Sequence, residues 1–316
     1  MWYLKIIFKI SVEKHFSNNF SCTKKDFIGN VITDFYTYVL IKAPLIYFQQ
    51  KEFIVISKVQ FKKYTSLKEK KYRDKIGRFL IEGILLCEEI LESDFVVETL
   101  LYCPSRVTSS RGKQLIRKIR NAGIPIEELN PDALNKLSDT AHSQGIICIV
   151  RKKEFSFNEL LKKSPYILVA LDQIKDPGNL GTMIRTADWF GAGGILMSQD
   201  SVDLTNPKVL RATMGSVFHI PIFENQDLSL ALLKLKQFGY ALFVADILGS
   251  VSYSEVNFSP KNVLILGNEI SGVREELTSM ATKILKIPKI GKGDSLNVAV
   301  AAGIILAEMS KRRIQT

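Results

Sequence analysis

Leu264-Ile-Leu-Gly-Asn-Glu-Ile-Ser-Gly272 is a short, nearly continuous apolar run that passes into a loop, with Gly267 and Gly272 on either side of Glu269. A strand buried on both faces reads this way, and such strands belong to parallel sheets covered by helices. Working outward, four similar runs at 167–174, 194–197, 241–245 and 284–287 alternate with helical patterns at 180–190, 207–217, 228–238, 274–280 and 296–310. This alternation predicts an α/β domain over 165–316, a mostly parallel sheet with helices on both faces. Ligands in such sheets bind beyond the carboxyl ends of the strands, so the loops after the strands are where chemistry is expected.

Three of those loops carry suggestive residues. Asp176-Pro-Gly-Asn-Leu-Gly-Thr-Met-Ile-Arg185 begins with a Pro-Gly turn that delivers Asn179 to the start of a helix. At 3.6 residues per turn, positions 179 and 185 share no face if both are helical. They meet only if Asn179 lies in the loop as an N-cap; a capped helix with a surface arginine reads the same way. In the opening segment, Gly267 would let a ligand approach the backbone beside Glu269, although a plain strand, turn and exposed acid fits it equally. The third loop, Ile287-Pro-Lys-Ile-Gly-Lys-Gly-Asp-Ser-Leu-Asn297, lacks the glycine spacing and the GK[ST] ending of a phosphate loop. Ser295 reads as a helix cap, and Ala299, Ala301, Ala302 and Gly303 mark a helix packed closely on its neighbours. No GxGxxG follows the first strand of this half.

The first half differs in charge. The chain of 316 residues has a net charge of +11, and residues 1–163 hold 28 Lys+Arg against 18 Asp+Glu, leaving the rest nearly neutral. A polyanion, nucleic acid ahead of a membrane surface, is the economical partner for the basic half, although a Lys-rich solvated surface has the same composition. Within it, Arg78 to Glu82 reads as a strand after a basic run from Lys58. Strands near 96–102, 124–128 and 145–150 alternate with helices near 83–92, 112–122 and 131–137, a compact α/β module. The polar run Glu154 to Ser164 reads as a linker. Cys22, Cys87, Cys103 and Cys148 have no metal-ligand spacing and read as thiols in a reducing compartment, while His15, His142 and His219 read as structural. Apolar stretches before residue 56 are interrupted by Lys5, Lys9 and Lys42 and are too short to span a bilayer.

Taken in order, the three loop segments resemble the motifs of the SpoU family, also called the TrmH family, of RNA ribose methyltransferases in the SPOUT class. The pattern N-x-G-x-x-x-R-T-A falls at Asn179 to Ala187, G-N-E-x-x-G at Gly267 to Gly272, and S-L-N-V-A-V-A at Ser295 to Ala301. Asn206-Pro-Lys and Arg211-Ala-Thr-Met-Gly-Ser lie between the first two. This resemblance covers about residues 166–316. A looser one, Tyr72-Arg-x-x-x-Gly-x-Phe-Leu-Ile-Glu-Gly83, likens about 57–150 to the family's substrate-binding domain, which is similar to certain RNA-binding ribosomal proteins.

The resemblance implies residues 1–56 as an added segment, 57–151 as an RNA-binding domain, 152–164 as a linker and 165–316 as a SPOUT methyltransferase domain with a deep trefoil knot. It implies S-adenosylmethionine as donor, held at the backbone around Gly267, Ile287 and Leu296. The acceptor is a ribose 2′-hydroxyl of RNA, with 23S ribosomal RNA expected. A tRNA methyltransferase of the same family and a non-catalytic RNA-binding or ribosome-assembly factor are the alternatives. A cytoplasmic homodimer with no metal and no membrane partner is expected. Because a guanidinium almost never gives up its proton, Arg185 reads as a fixed cation that stabilises a developing alkoxide. Asn179 is expected to orient RNA, Glu269 to hold Arg185 or a ribose hydroxyl, and Ser295 with Asn297 to shape the knot and the donor pocket.

Overall fold

The computed structural model describes residues 54–314. The expectations for the first segment up to residue 53, with His15 and Cys22, lie outside the described residues. The first lobe runs β1 (Ile54–Val55), α1 (Lys58–Ser66), α2 (Lys70–Ile76), β2 (Arg78–Glu82), α3 (Ile84–Glu89), β3 (Val97–Tyr102), α4 (Ser110–Asn121), β4 (Ile126–Glu128), α5 (Pro131–Leu137) and β5 (Ile146–Arg151). Its five strands lie in the order β1-β4-β3-β5-β2, with β5 antiparallel to both neighbours. The basic run from Lys58 folds as α1 and α2, which close on a left-handed Gly77. In α4 the apolar positions Leu115, Ile116 and Ile119 face the core, and Ser109 caps the first turn by accepting from Gly112 N at 3.1 Å. The opposite face exposes Arg111, Lys113, Arg117 and Lys118.

The stretch expected as a linker contains a helix, α6 (Phe157–Lys163), capped by Ser156 and anchored by buried Leu160 and Leu161. The second lobe follows as β6 (Ile167–Leu171), α7 (Pro177–Trp189), β7 (Ile195–Ser198), α8 (Pro207–Thr213), β8 (Ile222–Gln226), α9 (Leu228–Gln237) and β9 (Ala241–Ala245). It continues with β10 (Val251–Ser252), β11 (Asn262–Leu266), α10 (Glu275–Ser279), β12 (Lys283–Lys286) and α11 (Val298–Ile314). All seven strands are parallel, in the order β10-β12-β9-β11-β6-β7-β8. Every residue of the central strands β6 and β11 is buried, as their unbroken apolar runs require. β8 escaped the sequence reading because only Ile222 and Phe223 are buried before the strand turns polar at the sheet edge.

The two lobes share a continuous apolar core that joins Phe79, Ile81 and Leu100 to Leu171, Leu180 and Met309. Arg73, 5% exposed, fastens them. Its Nε donates to Thr205 Oγ1 at 2.9 Å, Nη2 pairs with Asp203, and Nη1 donates to the carbonyls of Leu67 and Lys68. His219 and Glu89 meet across the same boundary at 2.9 Å. Among the described residues no helix is long and apolar enough to cross a membrane.

Candidate active site

The three loop segments converge where β6, β11, β9 and β12 end. Pro177 opens α7, and Asp176 caps it by accepting from Asn179 N at 2.7 Å. Asn179 therefore sits inside the first turn, which corrects the expectation that it would be the cap. Its side chain still reaches the other two segments. Asn179 Nδ2 donates to Glu269 Oε1 at 3.0 Å, and Asn297 Nδ2 donates to Asn179 Oδ1 at 2.9 Å. Asn297 Oδ1 in turn accepts from Ala299 N at 2.9 Å and from Val300 N at 3.3 Å. Asn297, not Ser295, thus caps α11, because only residue 297 precedes the first helical turn closely enough for a two-residue reach. Ser295 is exposed and has no side-chain hydrogen bond among the described residues.

Arg185 stands apart from this chain of amides and carboxylate. It lies six residues beyond Asn179 in one continuous helix, about 9 Å further along the axis and about 120° around it. It is exposed, and among the described residues it has no hydrogen-bond or ion-pair partner. Glu269 therefore holds Asn179, and the expected contact between Glu269 and Arg185 is not made. Arg185 shares an outward stripe of α7 with Thr182 and with Trp189, which is 83% exposed.

Gly267 is required for a different reason from the one its sequence setting suggested. A Cβ there would stand 2.2 Å from Gly272 C and 2.3 Å from Val273 N, so its absence lets the loop close on its own backbone. The hairpin is built by Asn268, whose N–H and C=O exchange hydrogen bonds with Gly272 at 3.0 Å. Its Oδ1 accepts from Ile270 N and Ser271 N, while its Nδ2 donates to Gln173 O at 2.9 Å. Ile287 is half-buried against the core, and Leu296 is exposed.

The sequence reading assigned nothing to four residues that shape this end of the sheet. Asp172, fully buried at the end of β6, accepts from Arg274 N at 3.0 Å and from Arg274 Nε and Nη2 at 2.9 Å. With Arg274 it fastens the far end of the loop that carries Glu269. A carboxylate directly after an apolar run was the available signal. Asn268 was quoted within its motif without a role. Gly249 has backbone contacts that a Cβ would breach, 2.5 Å from Leu285 C and 2.6 Å from Lys286 N, so the loop after β9 lies tight against β12.

Comparison with known proteins bears on this geometry. A family model described as SpoU rRNA Methylase family matches residues 166–307, and one described as MRM3-like substrate binding domain matches residues 58–148. The chain is 34% identical over 245 residues to the 23S rRNA (guanosine(2553)-2′-O)-methyltransferase RlmP of Bacillus subtilis, covering 78% of this chain and 93% of that protein. It is 28% identical over 218 residues to the 23S rRNA (guanosine-2′-O-)-methyltransferase RlmB of Neisseria meningitidis, covering 68% and 87%. Among solved structures, an AdoMet-bound rRNA methyltransferase from Sinorhizobium meliloti superposes with a TM-score of 0.71 at 32% identity, covering 83% of this chain and 98% of that one. The SpoU methyltransferase AviRb from Streptomyces viridochromogenes, also in complex with AdoMet, gives 0.72 at 25% identity, covering 82% and 99%.

Proposed function

The chain belongs to the SpoU rRNA methylase family, and from that membership we infer that it transfers the methyl group of S-adenosylmethionine to a ribose 2′-hydroxyl of RNA, with 23S ribosomal RNA as its substrate. The observation that carries this reading is the meeting of three distant segments in one hydrogen-bonded chain, Asn297 to Asn179 to Glu269, on the helix that also bears Arg185, which has no partner among the described residues.

The residues present suit the donor. The loops that leave three adjacent strands, β9, β11 and β12, expose Leu248, Ile270 and Ile290, each at least 89% accessible. Apolar side chains with tight backbone loops fit an adenine ring and an aliphatic sulfonium, which need no phosphate cradle. Backbone around Gly267, Ile287 and Leu296 would hold it. When bound, S-adenosylmethionine supplies a methyl already activated for displacement, which leaves the chain to align the hydroxyl and favour loss of its proton. Arg185 keeps its own proton and offers its free donors to a neighbouring phosphate and to the developing alkoxide, while the hydroxyl proton leaves to water. Asn179, fixed on both sides, orients the RNA. Glu269 Oε2, which has no partner among the described residues, is left for a ribose hydroxyl. Asn297 sets the path of the loop into α11, and Ser295 helps shape the donor pocket.

The basic first lobe, residues 57–151, grips the RNA through the exposed cations of α4, and residues 165–316 carry the reaction. The threading of the second lobe into a trefoil knot is supported by the close passage of Gly249 over β12 and by the return of α11 onto α7. A homodimer, supported by the uncovered Trp189 and Val300 on those two helices, would bring a second copy over the site; sedimentation at micromolar concentration should give twice the chain mass. Buried unpaired Cys87, Cys103 and Cys148 are in keeping with work in the reducing cytoplasm.

The test is a map of 2′-O-methyl positions in total RNA from cells with and without the protein. Loss of one position in 23S ribosomal RNA is expected. A position lost from tRNA instead would move the substrate, and donor binding without transfer to any cellular RNA would leave a non-catalytic RNA-binding factor.

A further inference from the structure

Between the lobes lies a cavity of about 500 Å³. Leu86, Leu137 and Asp139 wall it from the first lobe, and Pro177, Lys208 and Arg211 from the second. Its volume lies within the range of sites that enclose a small organic group. None of these residues belongs to the hydrogen-bonded chain described above, but Pro177 is the first residue of the helix whose third is Asn179, so the cavity opens beside that site.

One donor beside this cavity is held in place and has no hydrogen-bond partner among the described residues. Glu82 accepts from Ser138 Oγ at 2.6 Å, from Thr140 Oγ1 at 2.8 Å and from Asp139 N at 3.0 Å, which pins the loop that carries Asp139. Asp139 Oδ2 then accepts from Arg211 Nη2 at 3.0 Å and fixes the guanidinium. The other amino group, Arg211 Nη1, is buried and has no hydrogen-bond partner among the described residues. A buried donor left unpaired is costly unless something supplies an acceptor. Asp139 orients its plane, Leu86 and Leu137 stand in the same cavity wall, and an acceptor in the cavity reaches the covered Nη1 by a small shift of side chains. Lys175 and Lys208 are exposed at the rim, where charge would meet phosphates rather than a base.

We propose that this cavity receives an unstacked base of the RNA substrate, splayed out beside the methylated ribose and read by Arg211. The proposal rests on the methyltransferase reading and adds to it the place where sequence is read. Arginine offers donors only, so the edge it reads presents acceptors, as guanine does with O6 and N7 and uracil with its carbonyls. Single-stranded RNA is commonly recognised through bases unstacked in this manner.

The test uses the full chain, labelled S-adenosylmethionine and ribosomal RNA from cells lacking the protein. Arg211→Gln should raise the KM for RNA roughly tenfold or more, with donor affinity by calorimetry unchanged. Leu86→Phe, which fills the cavity, should do the same. Asp139→Asn removes the ion pair but keeps the donor, and should change KM less than about fivefold. With transcripts varied one base at a time around the methylated ribose, the wild type should lose activity when one guanine or uracil is replaced, and Arg211→Gln should be indifferent at that position. Unchanged KM in Arg211→Gln, or a rise in KM in Asp139→Asn as large as that in Arg211→Gln and accompanied by a lower melting temperature, would overturn the base pocket and make Arg211 a strut between lobes. If Leu86→Phe does not fold, the Arg211 and Asp139 variants decide. A wild-type chain that methylates no RNA would instead remove the parent reading.

Discussion

Arg185→Ala should lower kcat on the order of 10²–10³-fold or more, while calorimetry still registers donor binding. Arg185→Lys should recover only weak activity, since a point charge does not replace a planar fork. The motifs that hold Arg185, Asn179, Glu269 and Asn297 could be picked out in the sequence, and three of these residues meet in one hydrogen-bonded chain. How they pair could not be read there, because a shift of two or three residues in a helix start decides which side chain caps and which reaches out. Ser295 was read as the cap for that reason, and Asn297 holds the position. Two carboxylates outside the site carry opposite pH signatures. Burial alone would raise the Glu98 carboxyl, but hydrogen bonds from Arg78 and Arg151 outweigh it and hold it below its ordinary value of 4.5. Its contribution is complete above that value and is lost as pH falls through the lowered one, so Glu98→Gln should cost up to about 1 kcal/mol near neutrality and less on acidification. Burial raises the Glu224 carboxyl, Lys152 pulls it partly back and Asp203 adds to the rise. Its ionised form opposes folding above the ordinary value, so Glu224→Gln should match or exceed the wild type near neutrality and lose that advantage in acid. Urea unfolding of both variants at about pH 7 and about pH 4 reads the two signs.

At the scale of elements, the sheet's central strands were readable because burial on both faces writes itself as an unbroken apolar run. The bounds 241–245 agree with β9 as built. The short edge strands β1, β8 and β10 leave no such trace, since their pairing is supplied by neighbours distant in the chain. The loop after β11 is a case where one element depends on another. Its hairpin is closed by Asn268 and Gly272, but its far end is tied to β6 through Asp172 and Arg274. Asp172→Ala should destabilise the fold by about 2 kcal/mol, the scale of a lost charged hydrogen bond next to a donor left unpaired. The same variant should weaken donor binding, because the backbone beside Gly267 would no longer be fixed. Thermal melting and calorimetry on the purified variant separate the two effects; an unchanged donor affinity with a lower melting temperature would confine Asp172 to stability.

Across the whole molecule, the division of charge between halves was visible in the sequence, but the manner of their joining was not. Periodicity says nothing of which strand lies beside which, and no pattern places β12 between β9 and β10. Nor does it foretell that Arg73, one of nine Lys and Arg residues between 58 and 78, would be the buried tie between lobes. Arg73→Ala should cost about 3–5 kcal/mol in equilibrium unfolding, because it strands the nearly buried Asp203 carboxylate. Arg73→Lys should recover little, since one ammonium cannot serve Thr205, Asp203 and two carbonyls together. The packing of α11 on α7 has a consequence in time. Asn179 is translated more than a hundred residues before Asn297, and the bond between them cannot form until both have left the ribosome. A nascent chain can display its basic lobe long before the hydrogen-bonded chain from Asn297 through Asn179 to Glu269 can form. The site thus stays incomplete until residue 297 has emerged.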